Sequence, residues 1–144
     1  MKYLFCFFVS CLCLNSSAQV WKTNLEEAEK EASQTNKHIL LVFAGSDWCG
    51  PCIKLDKNVW QSNEFKRDYK SWVLVKADFP KKKANQLSPE LTQYNAALAE
   101  KYNPDGNFPL VVLLNAQGKV IAKTGYESIS AEFYLDNLHK LDKN

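Results

Sequence analysis

Beyond position 18 the chain contains two cysteines, Cys49 and Cys52, and its only histidines are His38 and His139. With no further cysteine in 19–144, this stretch has no structural staple, and its one pair is expected to serve chemistry instead. A zinc site built on the pair needs two more ligands, and the two histidines are not at ligand spacing with each other. Charge of one sign is also lacking: 18 Lys and Arg stand against 16 Asp and Glu, a formal net charge of +2. That balance gives no argument for nucleic acid or for a membrane surface as a partner. The only basic run, Lys81-Lys82-Lys83, reads as a solvated loop. Repeats, linkers and low-complexity tracts are absent, so 19–144 is expected to be one domain whose core needs no covalent help.

The long apolar run lies at the start. Met1-Lys2, then Tyr3 through Leu14, then Ser16-Ser17-Ala18 describe a basic, apolar and small-residue order. That order predicts a secretory signal peptide over 1–18, cleaved after Ala18. Its apolar part is too short for a permanent anchor, so no stable membrane insertion is expected. The rival reading is lipoprotein processing at Cys11, after Val9-Ser10. Cleavage after Ala18 removes Cys6, Cys11 and Cys13 and makes the remainder periplasmic or secreted.

What is present is concentrated in Ser46-Asp47-Trp48-Cys49-Gly50-Pro51-Cys52, behind the apolar run Ile39-Leu40-Leu41-Val42-Phe43-Ala44. The run is partly β-branched and too short for a free-standing helix, which predicts a strand buried on both faces. Ile53, Val59 and Trp60 among charged residues predict an amphipathic helix that starts at Cys49. A helix N-terminus has unpaired N–H groups and a partial positive charge, and both favour a thiolate over a thiol. Cys49 is therefore expected to be the exposed nucleophile with a lowered pKa. Cys52, one turn further in, is the covered resolving thiol. Gly50 allows the tight turn, and Pro51 suits a first helical turn, where its missing N–H costs nothing.

Around this unit the chain reads as alternating strands and helices. Val20-Trp21 is either a short edge strand or a packed arm, and Thr23-Asn24-Leu25-Glu26 fits a capping box with Thr23 as N-cap. Leu25, Ala28 and Ala32 then stripe a helix to about Thr35. Ser62 or Asn63 caps a short helix carrying Phe65 and Tyr69, and 72–78 is a second buried strand stopped by Pro80. Two buried strands with a helix between them make a parallel crossover, with Cys49 at the carboxyl end of the first. Ligand chemistry in open α/β sheets gathers at that edge. Ser88-Pro89-Glu90 starts a helix whose Leu91, Tyr94, Leu98 and Tyr102 share a core face, and Asn103-Pro104-Asp105-Gly106 ends it as a turn. Leu110–Leu114 and Lys119–Gly125 form a hairpin around Asn115–Gly118, with Gly118 in the left-handed position. Ser130 caps a last helix bearing Phe133, Leu135, Leu138 and Leu141.

Trp48-Cys49-Gly50-Pro51-Cys52 resembles the active-site motif of thioredoxins, and the order of elements resembles the thioredoxin fold over nearly all of 19–144. The resemblance implies an α/β thioredoxin fold: a central mixed sheet of four to five strands, flanked by helices, with a helical insert from Pro80 to about Leu98 before the hairpin. It puts Phe108-Pro109 in the place of the family's cis-proline, with Pro109 against the cysteines and the Phe108 backbone as an edge for an extended substrate. Trp48, Gly50, Pro51, Phe108 and Pro109 become the substrate-binding set, with Trp48 both a packing residue and part of that surface. Gly125 matches the family's glycine near the groove. No metal, flavin or nucleotide cofactor is implied; the Cys49–Cys52 disulfide is the redox couple.

The chain also departs from cytoplasmic thioredoxins. Phe43-Ala44-Gly45-Ser46-Asp47 is one residue longer than its counterpart, and the family's buried strand acid meets Leu41 or Val42. Lys76 is out of phase with that acid's lysine partner. Asp47 is either a replacement proton-transfer group or an exposed carboxylate bordering the site. These features look more like exported bacterial thioredoxin-like proteins and the periplasmic thioredoxin-like domain of membrane thiol:disulfide interchange reductases. The implied activity is that of a thiol–disulfide oxidoreductase acting through Cys49 and Cys52 on disulfides of exported proteins. Gly50-Pro51 resembles the reducing members, at about −270 mV against about −120 mV for a strong oxidant. A reductase of that kind needs an upstream membrane thiol reductant, and it is expected to act as a monomer. The alternative is a thioredoxin-fold binding or chaperone module for assembly of cytochromes or metal sites, with the thiols secondary.

Overall fold

Strand β1, His38–Ala44, has no solvent side: Leu40, Val42 and Ala44 enter one core, and Ile39, Leu41 and Phe43 enter another. A strand apolar on both faces must lie inside a sheet covered on both faces. The computed structural model, which describes residues 19–143, shows that arrangement. Cys6, Cys11, Cys13 and the expected signal peptide lie outside the described residues. Strand β2, Trp72–Asp78, pairs parallel to β1, and β3, Leu110–Leu114, pairs antiparallel on its other side. Strand β4, Val120–Thr124, completes a four-stranded mixed sheet in the order β2-β1-β3-β4. Lys22 adds a single parallel bridge to Val75, while Trp21 packs its ring on Trp60 and Phe65. The segment before the first helix is thus a packed arm with one rung of pairing.

One face of the sheet carries α1, Leu25–Thr35, and α4, Pro89–Tyr102. The other carries α2, Gly50–Leu55, which runs into a π-helical turn over Asp56–Trp60, together with α3, Asn63–Asp68, and α5, Ala131–Leu141. The wider π turn brings Val59 and Trp60 into the core together. Ser62, Ser88 and Ser130 cap their helices through side-chain oxygens, as the sequence predicts.

Three expectations are corrected. Asn24, not Thr23, caps α1: its side chain accepts the Glu27 N–H at 2.8 Å. The helix starts at the buried Leu25, and Glu26 accepts instead from the Tyr94 hydroxyl. Ile53 is 46% exposed, because the α2 face that meets the sheet is set by Cys52 and Leu55. On α5, Leu135 and Leu138 set the buried face, which brings in Tyr134 and leaves Phe133 66% exposed.

Gly118 takes φ +71° in the hairpin turn, and the Tyr102 hydroxyl donates to its carbonyl at 2.9 Å. At the amino ends of β1 and β2, His38 bonds Asp142 at 2.8 Å, and Trp72 Nε1 donates to the same carboxylate at 3.1 Å. His139 bonds Asp68 at 2.8 Å and stacks on Trp72. Both histidines therefore stand at the sheet end opposite the cysteines, which leave from the carboxyl end of β1. Among the described residues, no helix is long and apolar enough to cross a membrane.

Candidate active site

After Ala44 the chain turns sharply before α2. The N–H groups of Trp48 and Cys49 both donate to the Gly45 carbonyl, at 3.3 and 2.9 Å. The indole of Trp48 folds back over Gly45, so a Cβ at position 45 would lie 2.3 Å from the ring. Only glycine fits beneath that ring. Gly45→Ala is expected to expel the indole and lower stability by about 1–3 kcal/mol, the usual cost of overpacking. A changed tryptophan emission together with a lowered denaturation midpoint checks this.

Cys49 is the N-cap of α2, in extended geometry, with Pro51 inside the first turn. It is bonded to Cys52, the two sulfurs 2.10 Å apart. Each sulfur also accepts a backbone hydrogen bond: Cys52 N–H to Cys49 Sγ at 3.3 Å, and Gly45 N–H to Cys52 Sγ at 3.4 Å. When the bridge opens, donors so placed favour the charged form of either sulfur. Exposure differs from expectation: Cys49 retains 5% and Cys52 4%. The attacker expected to be open is thus covered in this disulfide form.

Of the two readings of Asp47, the geometry agrees with the carboxylate that borders the site. Its carboxylate accepts the N–H groups of Lys81 and Lys82, each at 2.9 Å, and the Asn85 side-chain amide at 3.0 Å. These bonds, the Lys81 N–H first, hold its pKa below the usual carboxylate value, so it remains an anion. Its three partners all lie in the insert that follows β2. The adjacent Ser46 is fixed by Asp78, which accepts both its N–H and its hydroxyl.

Trp48 is 39% exposed, and its Nε1 donates to the Phe79 carbonyl at 2.6 Å. Its ring meets Phe108 edge-on at 5.5 Å, and Phe108 meets Phe79 at 5.3 Å. The Phe108–Pro109 peptide is cis. Pro109 stands between two depressions. On one side an open groove of about 490 Å³ is lined by Pro51, Phe108, Pro109, Gly125 and Tyr126. On the other a cavity of about 390 Å³ is lined by Pro109, Val42, Cys52, Asp56, Trp60 and Lys76. The predicted substrate-binding residues thus converge on one rim, with Gly50 exposed at the head of α2.

That cavity also holds Asp56, for which no role was expected. Val42, not Leu41, faces the cysteine helix, and Lys76 lies directly opposite Val42 on β2. The expectation that Lys76 is out of phase is therefore wrong: pairing in parallel register puts both on the same face. Lys76 Nζ lies 3.3 Å from Asp56 Oδ1 and 5.0 Å from the centre of the Trp21 ring, and Gln61 donates to the other Asp56 oxygen. An acid is present after all. It comes from the helix, one turn beyond Cys52, and not from the strand. The i, i+4 spacing of Cys52 and Asp56 was the available signal.

A family model described as thioredoxin-like matches residues 20–116. The disulfide bond reductase DsbH of Chlamydia pneumoniae is 37% identical over 113 residues, covering 78% of this chain and 66% of that protein. The thioredoxin-related protein DsbJ of the same organism is 31% identical over 112 residues, 77% of this chain and 31% of that protein. The match therefore spans just under two thirds of one curated relative and about a third of the other. A solved DsbH oxidoreductase superposes with a TM-score of 0.81 at 30% identity, over 97% of this chain and 95% of that one.

Proposed function

The chain belongs to the thioredoxin-like family, and from that premise we propose that it is a thiol–disulfide oxidoreductase that reduces disulfides of exported proteins. The observation that carries the reading is the Cys49–Cys52 bridge at the head of α2, with cis-Pro109 and a groove beside it. Export itself is read from the N-terminal sequence and belongs to the same proposal. The exchange runs from the reduced dithiol. Cys49, as thiolate, attacks one sulfur of a substrate disulfide; a Cys49–substrate bond forms, and the other substrate sulfur leaves as thiolate. Cys52 then gives up its proton and attacks Cys49 Sγ, which releases the second substrate thiolate and leaves the protein as the disulfide. Two electrons have passed to the substrate, and a dithiol reductant, proposed to be membrane-borne, restores them. An extended substrate segment lies in the groove along Phe108-Pro109, under the rim formed by Trp48. The redox couple needs no cofactor beyond the two cysteines.

The proton of Cys52 is assigned to Asp56, the carboxylate that shares its cavity and is oriented by Lys76 and Gln61. Asp56→Asn is expected to slow resolution of the mixed disulfide by roughly 10²-fold near pH 6, the low end of general-base effects. The difference should close as pH rises past about 8.5, where a thiol ionises unaided. A role that is only structural would slow both pH values alike. The proposed function itself is tested by mixing reduced protein with a disulfide-linked peptide and counting free thiols. Release of two peptide thiols per protein supports it, and intact peptide in the presence of reduced Cys49 overturns it.

A further inference from the structure

The sequence offers one basic run, Lys81-Lys82-Lys83, and treats it as a solvated loop; the fold sets it against the candidate active site. Asp47, two residues before Cys49, accepts the Lys81 and Lys82 N–H groups and so fastens this segment by its backbone, leaving the lysine side chains outward. Lys81 Nζ stands 3.8 Å over the Trp48 ring, and Trp48 in turn holds the Phe79 carbonyl. Of the two neighbouring carboxylates, Asp47 holds those N–H groups and Asp78 holds Ser46; neutral donors leave their charge in place, and the Asp47 charge also reaches Lys82. Three exposed lysines against two carboxylates leave a positive excess at the rim beside Trp48, on a chain whose overall charge is nearly balanced.

We propose that Lys81, Lys82 and Lys83 form an electrostatic docking rim that selects substrate proteins with acidic residues flanking the disulfide to be reduced. This deepens the reductase reading and rests on it. Charge held at a binding edge raises the encounter rate with oppositely charged partners and disfavours like-charged ones. Because the backbone at Lys81 and Lys82 is anchored to Asp47, the run stays beside Trp48, the residue before the reacting cysteine, where a free loop would disperse it. The acidic segment is expected to run over Trp48 toward the Phe79–Asn85 side while the disulfide sits at Cys49.

The test uses three peptides of equal length, each with one internal disulfide, flanked by glutamate, by serine and glycine, or by lysine. With the reduced full chain at low ionic strength, the glutamate peptide is expected to show a kcat/KM about tenfold above the neutral one, the low end of steering effects. The lysine peptide should fall below it. In about 1 M salt, where screening shortens to about 3 Å, the three rates should converge. Lys82→Gln with Lys83→Gln changes two exposed side chains while keeping the Asp47 anchor and Lys81 on Trp48. It should lower the glutamate peptide toward the neutral rate and leave the neutral peptide unchanged. Lys82→Glu with Lys83→Glu should invert the order. Equal rates for the three peptides, or a preference for glutamate that survives both variants, overturns the docking rim while leaving the reductase intact. Failure to reduce even the neutral peptide would count against the reductase reading.

Discussion

Cys52→Ser is expected to turn the protein from a catalyst into a trap. With serine at 52, Cys49 still attacks a substrate disulfide, but no second thiol remains to release the product, so the reaction stops at the mixed disulfide. Turnover should fall to at most one event per protein molecule. Adducts through Cys49 should appear on non-reducing gels and vanish on adding dithiothreitol. Cys49→Ser should abolish both turnover and adducts, since a hydroxyl cannot replace the thiolate as nucleophile. The pair separates the reductase from a docking or chaperone module that uses the same face without its thiols. A module would bind partners equally well in both variants, and no covalent adduct would form in either. The structure gives the reductase the stronger claim: the two sulfurs are joined, each receives a backbone N–H, and groove and cavity meet at Pro109 beside them.

Trp60→Ala should produce a large loss of stability. Trp60 is 2% exposed and lies at the centre of an aromatic group, with Phe65 at 4.8 Å, Trp21 at 5.7 Å and Tyr134 at 5.9 Å. These rings join the N-terminal arm, the π turn, α3 and α5 on one face of the sheet. Truncating a buried tryptophan removes its transfer free energy and leaves a void that neighbours on three separate elements cannot close. The expected cost is about 3–5 kcal/mol. Against a total of roughly 5–15 kcal/mol that is a large fraction, and the midpoint of thermal unfolding should drop by on the order of 10–20 °C. Phe133→Ser, at an exposed position of α5, is the control and should change stability by less than about 0.5 kcal/mol. A Trp60→Ala midpoint no lower than that of the control would mean that this aromatic group is not what holds the face together.

Much of this architecture was legible because the signals are local. An apolar run such as 39–44 can satisfy its backbone and bury both faces only as an inner strand, and serines at 62, 88 and 130 mark helix starts through their own hydroxyls. The cysteine pair was legible for the same reason: three positions at a strand-to-helix junction suffice to bring two sulfurs together. Misreadings fell where a neighbour in space outweighed a neighbour in sequence. Thr23 and Asn24 are both good caps, and the burial of Leu25 chose between them. Phe133 is as apolar as Tyr134, but Leu135 and Leu138 set which of them turns inward.

By itself, then, the sequence determined the order of strands and helices, the dithiol and its place at the carboxyl end of β1, since hydrophobic period, caps and spacing act within a few residues. Only the tertiary structure decided what surrounds the sulfurs. Parallel pairing put Lys76 opposite Val42 and beside Asp56, and three hydrogen bonds turned Asp47 toward Lys81, Lys82 and Asn85. The same bonds brought a lysine run some thirty positions downstream to the rim of the site. The physical reason is that electrostatics and hydrogen bonding depend on separation through space, which chain folding sets and which no local pattern encodes.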